Sequence, residues 1–390
     1  MNLRNLGLIT GFVSIFGSAQ CLAQNAYITN GGSGSVSIID TATNTVTKTI
    51  AFPVDSQPAG VAVVPDGSKV YITNLGSNSV SVIDTDTNTV RNKMIPVGRL
   101  PIGVAVTPDG GKVYVTNNGS DNVSVIATKR NAVIKTIPVG IAPFGVAVTP
   151  DGSKVYVVNS VNASSNHNAE PSTVSVIDTE RDRVTKMVPV GFGPTSVVIA
   201  HNGERAYVSG HDPVTFAAIF SVIETATDEV IATVSVGSNG AADVVVITPD
   251  DSRLYAGNNE EGVNTVLVID IASERVVATI PVGINPYGMA ITPDGKRVYV
   301  ANNFSNTVSV IDTEHNVVIR TVAVGGGPIA FGNFIQPLPR FAGTPGKSNC
   351  YGRSVSALVR QFHGLQAAAA ALEFSSIEKL QDAISEFCEA

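Results

Sequence analysis

The chain has 390 residues, with 25 basic and 32 acidic side chains, a formal net charge of −7 and a charged fraction of only 15%. That balance argues against a nucleic-acid or anionic-membrane binder, because phosphate contacts need clustered Lys and Arg. An apolar fraction of 44%, with 36 glycines, 21 prolines and no tryptophan, excludes a disordered chain and describes a turn-rich one.

Residues 1–23 carry one early positive charge, Arg4, then an apolar run from Leu6 to about Ala19, and a small residue, Ala23, before Gln24. This is the layout of a secretory signal peptide. The run is shorter than the ~20 apolar residues a spanning helix needs. Cys21 stands near its end, but Ser18-Ala19-Gln20-Cys21 lacks the aliphatic and small residues that precede a lipidated cysteine. Cleavage after Ala23 is expected, giving a periplasmic or secreted protein with no membrane span in its mature part. Two of the three cysteines then remain, Cys350 and Cys388, in a compartment where they can pair.

Residues 24–337 are governed by an internal repeat, the pattern to seek before any local reading. Tyr27-Ile-Thr-Asn30 recurs as Tyr71-Ile-Thr-Asn74, Tyr114-Val-Thr-Asn117 and Tyr156-Val-Val-Asn159, and continues weakened at Tyr207, Tyr255 and Tyr299. One unit contains four strand-like pieces: Gly103-Val-Ala-Val-Thr107, Lys112-Val-Tyr-Val-Thr116, Asn122-Val-Ser-Val-Ile126 and Ala132-Val-Ile-Lys-Thr-Ile137. Apolar residues alternate within them, the period of a sheet with two distinct faces. Tandem four-stranded units of this length predict β-propeller blades, each burying its faces against its neighbours. The fold class is therefore all-β, a seven-bladed propeller of antiparallel blades. The chain enters at Tyr27 without an inner strand and leaves with an unpartnered one, Gly327-Pro-Ile-Ala-Phe-Gly-Asn-Phe-Ile-Gln336. That last piece is expected to complete the first blade and close the ring.

With Tyr-Val-Thr-Asn, Pro-Asp-Gly and Val-Ile-Asp-Thr repeated in this way, the chain resembles the YVTN-repeat β-propellers, near the YncE-like secreted bacterial proteins and the surface-layer propellers. The resemblance covers about residues 25–337. It implies an extracytoplasmic location and a binding or surface role, and brings no catalytic apparatus that maps residue by residue.

A residue found at the same place in most blades holds the blade together, since one active site has no seven-fold symmetry. Asp66, Asp109, Asp151, Asp250 and Asp294 sit in Pro-Asp-Gly-type turns, and Asp40, Asp84, Asp178, Asp270 and Asp312 open the next turn. These carboxylates read as turn formers. Gly60, Gly103, Gly145 and Gly288 start inner strands where backbones crowd about the axis. Function is expected where the repeat breaks, and the breaks share one rim: Ser160–Ser172, Gly210–Ala218, Asn258–Gly262 and Ser238–Asp243.

On that rim the residue after each loop proline is expected to face the axis: Ala59, Ile102, Phe144, Thr195, Tyr287 and Ile329, with Asp243 at the aligned place in blade 6. An apolar cup with one acid suits a small organic or aromatic ligand held by stacking and one polar contact. The competing reading is that these side chains plug the channel. His167, His211, Asp212, Glu260 and Glu261, with Asp243, compose a candidate divalent-metal site of imidazole and carboxylate. No His-x-His or His-x-x-x-His spacing supports it, so the competing reading is solvated loop groups. No other cofactor is expected: Cys-x-x-Cys-His, Gly-x-Ser-x-Gly and the P-loop are all missing from the sequence. Lactonases are the nearest enzymes on such a ring, and they would need acids or histidine in the channel.

Residues 338–349 are rich in Pro, Gly and Lys and read as a linker. In 350–390, Val355, Leu358, Phe362, Leu365, Ala369 and Leu372 recur at helical spacing, as do Ile377, Leu380, Ile384 and Phe387. Two helices are expected, roughly 352–373 and 376–388, with Ser375 and Glu378 as a capping box for the second. A Cys350–Cys388 disulfide would staple them into a hairpin. The sequence thus predicts a monomeric binding or scaffold propeller engaging a protein or small molecule through its irregular face, with a lactonase-type hydrolase on that face as the alternative.

Overall fold

A computed structural model describes residues 24–53, 55–91, 93–160, 172–212, 214–215, 217–237, 242–258 and 263–337, and in the tail 355, 365–366, 369 and 376–389. Seven antiparallel sheets follow one another along the chain. In blade 3 the strands are Pro101–Val106, Lys112–Asn117, Asn122–Ala127 and Ala132–Pro138, running from the axis outward. The third strand of most blades is almost wholly buried, whereas the outermost, such as Ala132–Pro138, is mostly exposed, with Val133 half-buried and Ile137 buried. Each sheet is covered on both faces by its neighbours, and its last strand meets solvent.

The first blade has three strands of its own, Asn25–Asn30, Ser35–Asp40 and Thr45–Ala51. Residues 328–336 complete it: Ile329 N–H donates to the Thr29 carbonyl, Tyr27 N–H to that of Phe334, and Gln336 N–H to that of Asn25, each at 2.9 Å. The same segment then reaches the second blade, whose Val61 and Val63 N–H groups donate to Phe331 and Asn333 at 2.7 and 3.1 Å. Ring closure is therefore a backbone zipper of the last strand between blades 1 and 2.

The repeated residues bind blade to blade. The Tyr hydroxyl of one blade donates to the turn Asn or Asp of the next: Tyr27 to Asn88 at 2.8 Å, Tyr71 to Asn131 at 2.7 Å, Tyr255 to Asn316 at 2.9 Å. Tyr299 closes the circle on Asn44 at 2.5 Å. Nearer the axis, Thr73 and Thr116 donate to the carbonyls of Ile102 and Phe144 in the next inner strand, at 2.9 and 2.7 Å. The asparagine that ends the motif donates within its own blade, as Asn74 does to Ser79 and Ser81 at 3.0 and 2.8 Å.

Inner strands approach so closely that a β-carbon on Gly60 would lie 2.0 Å from the Ile102 carbonyl oxygen, and one on Gly103 would lie 2.3 Å from that of Phe144. The turn aspartates do what their position predicts. Asp109 accepts from Gly111 N–H at 2.8 Å and from the Thr107 hydroxyl, and Asp270 from Ser273 N–H and hydroxyl. In the tail, Ile377–Glu389 form an amphipathic helix with Leu380 and Ile384 fully buried. Most of the expected first helix lies outside the described residues, as do residues 1–23, Cys350 and the Cys388 side chain. Among the described residues no helix is long and apolar enough to cross a membrane.

Candidate functional site

The strand directions place the Pro-Asp-Gly turns on one rim and the Asn loops on the other, because each second strand runs from a Pro-Asp-Gly turn to its Asn. The loop rim surrounds the mouth of the ring. There, Ala59 and Ile102 are buried in the wall, whereas Phe144, Thr195, Asp243, Tyr287 and Ile329 are half-buried. Ile329 lies against the first blade, where a β-carbon on Gly31 would come within 2.8 Å of its Cδ1.

Phe144 of blade 4 and Tyr287 of blade 7 are joined through a residue that the alignment of repeats did not single out, Phe331. Its ring centroid is 5.2 Å from that of Phe144 and 4.8 Å from that of Tyr287, both edge-to-face. Such contacts add to the burial they accompany. The closing strand reaches this position by an unusual path: Ala330 has φ +49° and Gly332 φ +104°. A β-carbon on Gly332 would sit 2.6 Å from the Val61 carbonyl oxygen, so only glycine allows the turn. The sequence signal was the break in pattern, Ile-Ala-Phe-Gly where blade 3 has Ile-Gly-Val-Ala and blades 2 and 4 also keep Gly-Val-Ala. The mouth is thus floored by three aromatic rings from blades 1, 4 and 7.

Asp243 lies on Ala242–Ile247, the inner strand of blade 6, which neighbours the inner strand carrying Tyr287, Pro286–Ile291. Its carbonyl accepts from the Thr195 hydroxyl at 2.6 Å, so Thr195 anchors the acid's backbone from blade 5. Burial raises the Tyr287 phenol above its ordinary value, and the Asp243 charge raises it further. Near-neutral pH therefore finds Tyr287 as a protonated phenol, a donor.

Of the candidate metal ligands, His167, Glu260 and Glu261 lie outside the described residues. His211 exchanges two backbone hydrogen bonds with Phe192, both 2.8 Å. Asp212 accepts from Val214 N–H, Thr215 N–H and the Thr215 hydroxyl at 3.0, 2.7 and 2.9 Å, and these bonds hold its carboxyl below the usual range. It shapes its own loop. Among the described residues no cluster of three His, Cys, Asp or Glu groups could hold a metal.

No curated protein matches the chain. Among solved structures it is similar to the Kuenenia stuttgartiensis hydrazine synthase, at 26% identity and TM-score 0.62, covering 70% of this chain and 88% of that one. It is similar also to a putative 6-phosphogluconolactonase from Bacteroides uniformis, at 19% identity and TM-score 0.63, over 79% and 98% of the two chains. A putative 6-phosphogluconolactonase from Bacteroides fragilis gives 17% identity and TM-score 0.63, over 80% and 98%. At the identities of these last two, the likeness is one of fold. The family model for lactonase, 7-bladed β-propeller, matches residues 25–137 and 147–318, spanning every blade, and the chain belongs to that family.

Proposed function

We propose that the protein is a lactonase-type hydrolase working at the loop-bearing mouth of the propeller, in the periplasm or outside the cell. The observation that carries the reading is the placement of Asp243 and Tyr287 on adjacent inner strands at the mouth of a lactonase-family ring. A carboxylate accepts and a protonated phenol donates, the two roles that ring-opening hydrolysis asks for. Asp243 takes a proton from water as the water oxygen bonds to the lactone carbonyl carbon, and Tyr287 donates to the carbonyl oxygen as it gains charge. The carbonyl then re-forms, the ring C–O bond breaks, and the proton on Asp243 passes to the departing oxygen. One lactone and one water give one hydroxy acid.

The extracytoplasmic setting rests on the leader-like residues 1–23 and on the YVTN-type repeats, whose YncE-like resemblance agrees with a secreted propeller. The test is hydrolysis of a lactone panel by the protein and by Asp243→Asn and Tyr287→Phe. Removing the base is expected to lower kcat by roughly 100-fold or more and removing the donor by a comparable factor, with the fold intact. Full activity in both variants overturns the assignment.

A second reading is favoured by Phe331, which closes the axis between Phe144 and Tyr287. A floor of aromatic edges beside one acid also suits a binding propeller that holds a ligand or partner by stacking. A ligand-binding thermal shift with no turnover of any lactone would support it.

A further inference from the structure

Large apolar side chains that stay exposed among the described residues fall in two places, the outer edges of the blades and the loop rim of the mouth. On the rim, three of them gather at one joint. Phe304 is 71% exposed, Ile284 52% and Val263 40%, and all three stand on loops where blades 6 and 7 meet. Exposed apolar residues scattered singly are ordinary, but a contiguous group marks a binding surface. Hydrogen bonds make this group contiguous. Phe304 N–H donates to the Ile284 carbonyl at 3.2 Å, and Ile284 N–H to the Ser305 hydroxyl at 2.5 Å. Asn264, next to Val263, accepts from Asn285 N–H at its Oδ1 and from Val282 N–H at its carbonyl, at 2.9 and 3.1 Å.

The blade does not need the phenylalanine. At its place in the repeat, blades 1, 2 and 3 have Gly32, Gly76 and Gly119. The loop closes in the same way with glycine, since Gly119 N–H donates to the Arg99 carbonyl at 3.0 Å, and Arg99 stands where blade 7 has Ile284. A β-carbon on Gly119 would lie 3.2 Å from the Arg99 Cβ, so these two positions bring their side chains together. In blade 7 the pairing becomes Phe with Ile, and Ile284 is three residues ahead of Tyr287, a backbone reach of about 10 Å. An apolar ledge thus leads from the rim toward the aromatic floor of Phe144, Phe331 and Tyr287. Its backbone is already fixed, which leaves little ordering for a ligand to impose. Three side chains are too few for a protein interface, which takes about 20–30 residues a side, and they suit a single hydrocarbon chain. We infer that the site takes lactones carrying an alkyl tail, with the ring at Asp243 and Tyr287 and the tail laid along Ile284, Phe304 and Val263. The inference rests on the lactonase reading for the ring that is opened and names the substrate class of that site.

The experiment measures binding and turnover separately on the whole protein. Hydrolysis is followed for γ-lactones with methyl, butyl and octyl tails. Calorimetry measures the matching γ-lactams, which resist opening, and all are used below the concentration at which they aggregate. A methylene half removed from water tightens binding about twofold, so the octyl lactam should bind on the order of 100-fold more tightly than the methyl one. The kcat/KM of the lactones should climb in the same proportion. Phe304→Gly and Ile284→Arg install the residues that blade 3 carries at these places, and each should cut the octyl-to-methyl ratio by about tenfold. Ile134→Ser, which removes an exposed apolar residue from an outer strand, should keep the parent's ratio. No dependence on tail length, no binding of any lactam, or a ratio unchanged in both Phe304→Gly and Ile284→Arg overturns the inference. Lactones opened at rates indifferent to their tails defeat the ledge and leave the hydrolase reading standing. Lactam binding that follows the ledge, with no lactone opened, defeats the hydrolase reading and leaves the ledge standing.

Discussion

The hydroxyl of Tyr114 donates to Oδ1 of Asp182 at 2.7 Å, across the joint between blades 3 and 4, and Lys112 of the same strand meets that carboxylate at 2.8 Å. Burial and the bond to Asp182 both push the Tyr114 phenol far above its ordinary value, so it remains a donor at any working pH. A hydrogen bond to a charged group contributes about 1.5–3 kcal/mol, and its loss leaves Asp182 short of a partner. Tyr114→Phe is expected to lower the unfolding free energy by that amount, read as a lower denaturant midpoint at unchanged m-value, with a Tm drop of several degrees. A stability equal to the parent would show that the bond does not hold the joint.

One joint departs from this arrangement. Between blades 5 and 6 the residue at the turn position is Glu274, with φ +56°, where other blades place Asn44, Asn88, Asn131, Asp182, Asp228 and Asn316 in the same left-handed conformation. Burial raises the Tyr207 phenol above its ordinary value, Arg205 of the same strand offsets part of that, and the Asp251 and Glu274 charges add a little to the rise. A cavity of ≈20 Å³ lies between Tyr207, Phe220, Leu254 and Ile269. Asn tolerates that backbone better than Glu and presents its oxygen one methylene closer. Glu274→Asn should therefore raise stability by about 0.5–1.5 kcal/mol, the net worth of one hydrogen bond. A Tm at or below the parent's would mean that Tyr207 cannot reach the new acceptor.

The turn carboxylates give the pH dependence its sign. Hydrogen bonds from Thr107 and Gly111 hold Asp109 below its ordinary value, and those from Thr149 and Ser153 do the same for Asp151. Asp250 and Asp270 are lowered likewise by their serine and threonine partners. A depressed carboxylate binds its proton more weakly folded than unfolded. Its contribution is fully present above the unfolded value near 3.9, and is lost as pH falls through the folded one. The protein should hold constant stability from neutral pH to about 5 and lose it progressively below about 4. Urea melts across that range measure this. Asp109→Asn should flatten the acid limb, and an unchanged limb would remove Asp109 from the account.

What could be read in the sequence was the repeat itself. Tyr27, Asn30 and the Pro-Asp-Gly turns recur because each blade meets the same neighbours, so periodicity reveals them without any structure. Their reasons stayed hidden. Tyr71 bonds Asn131, 60 residues away, and pairing across a joint leaves no local pattern. Half of the mouth was legible in the same sense: Phe144, Tyr287 and Asp243 follow from alignment of the loop prolines. Phe331 did not, because it occupies an inner-strand position where five other blades keep valine and blade 7 has Met289. Only the backbone twist at Ala330 and Gly332 brings it against Phe144 and Tyr287. The irregular loops carrying His167, Glu260 and Glu261 have no repeat partner to be read against.

Ring closure is the step on which the whole core depends, since among the described residues the last strand is the only non-consecutive piece in any blade. It lies against Gly288 so tightly that a β-carbon there would stand 1.8 Å from the Ile329 carbonyl oxygen. A contact under 3 Å with backbone cannot be relieved by a side-chain rotation, so Gly288→Ala must push the closing strand off blade 7. The cost should be in the range of severe core substitutions, about 3 kcal/mol or more. Gly326 lies just ahead of the same strand, and a β-carbon on it meets nothing nearer than the Ser33 Cβ at 3.6 Å. Gly326→Ala is the matched control and should melt near the parent. Truncation before Gly326 removes the partner of Tyr27, Thr29 and Val61 together and should abolish cooperative melting. If Gly288→Ala melts like Gly326→Ala, or the truncated chain stays soluble with one sharp transition, the zipper does not close the ring.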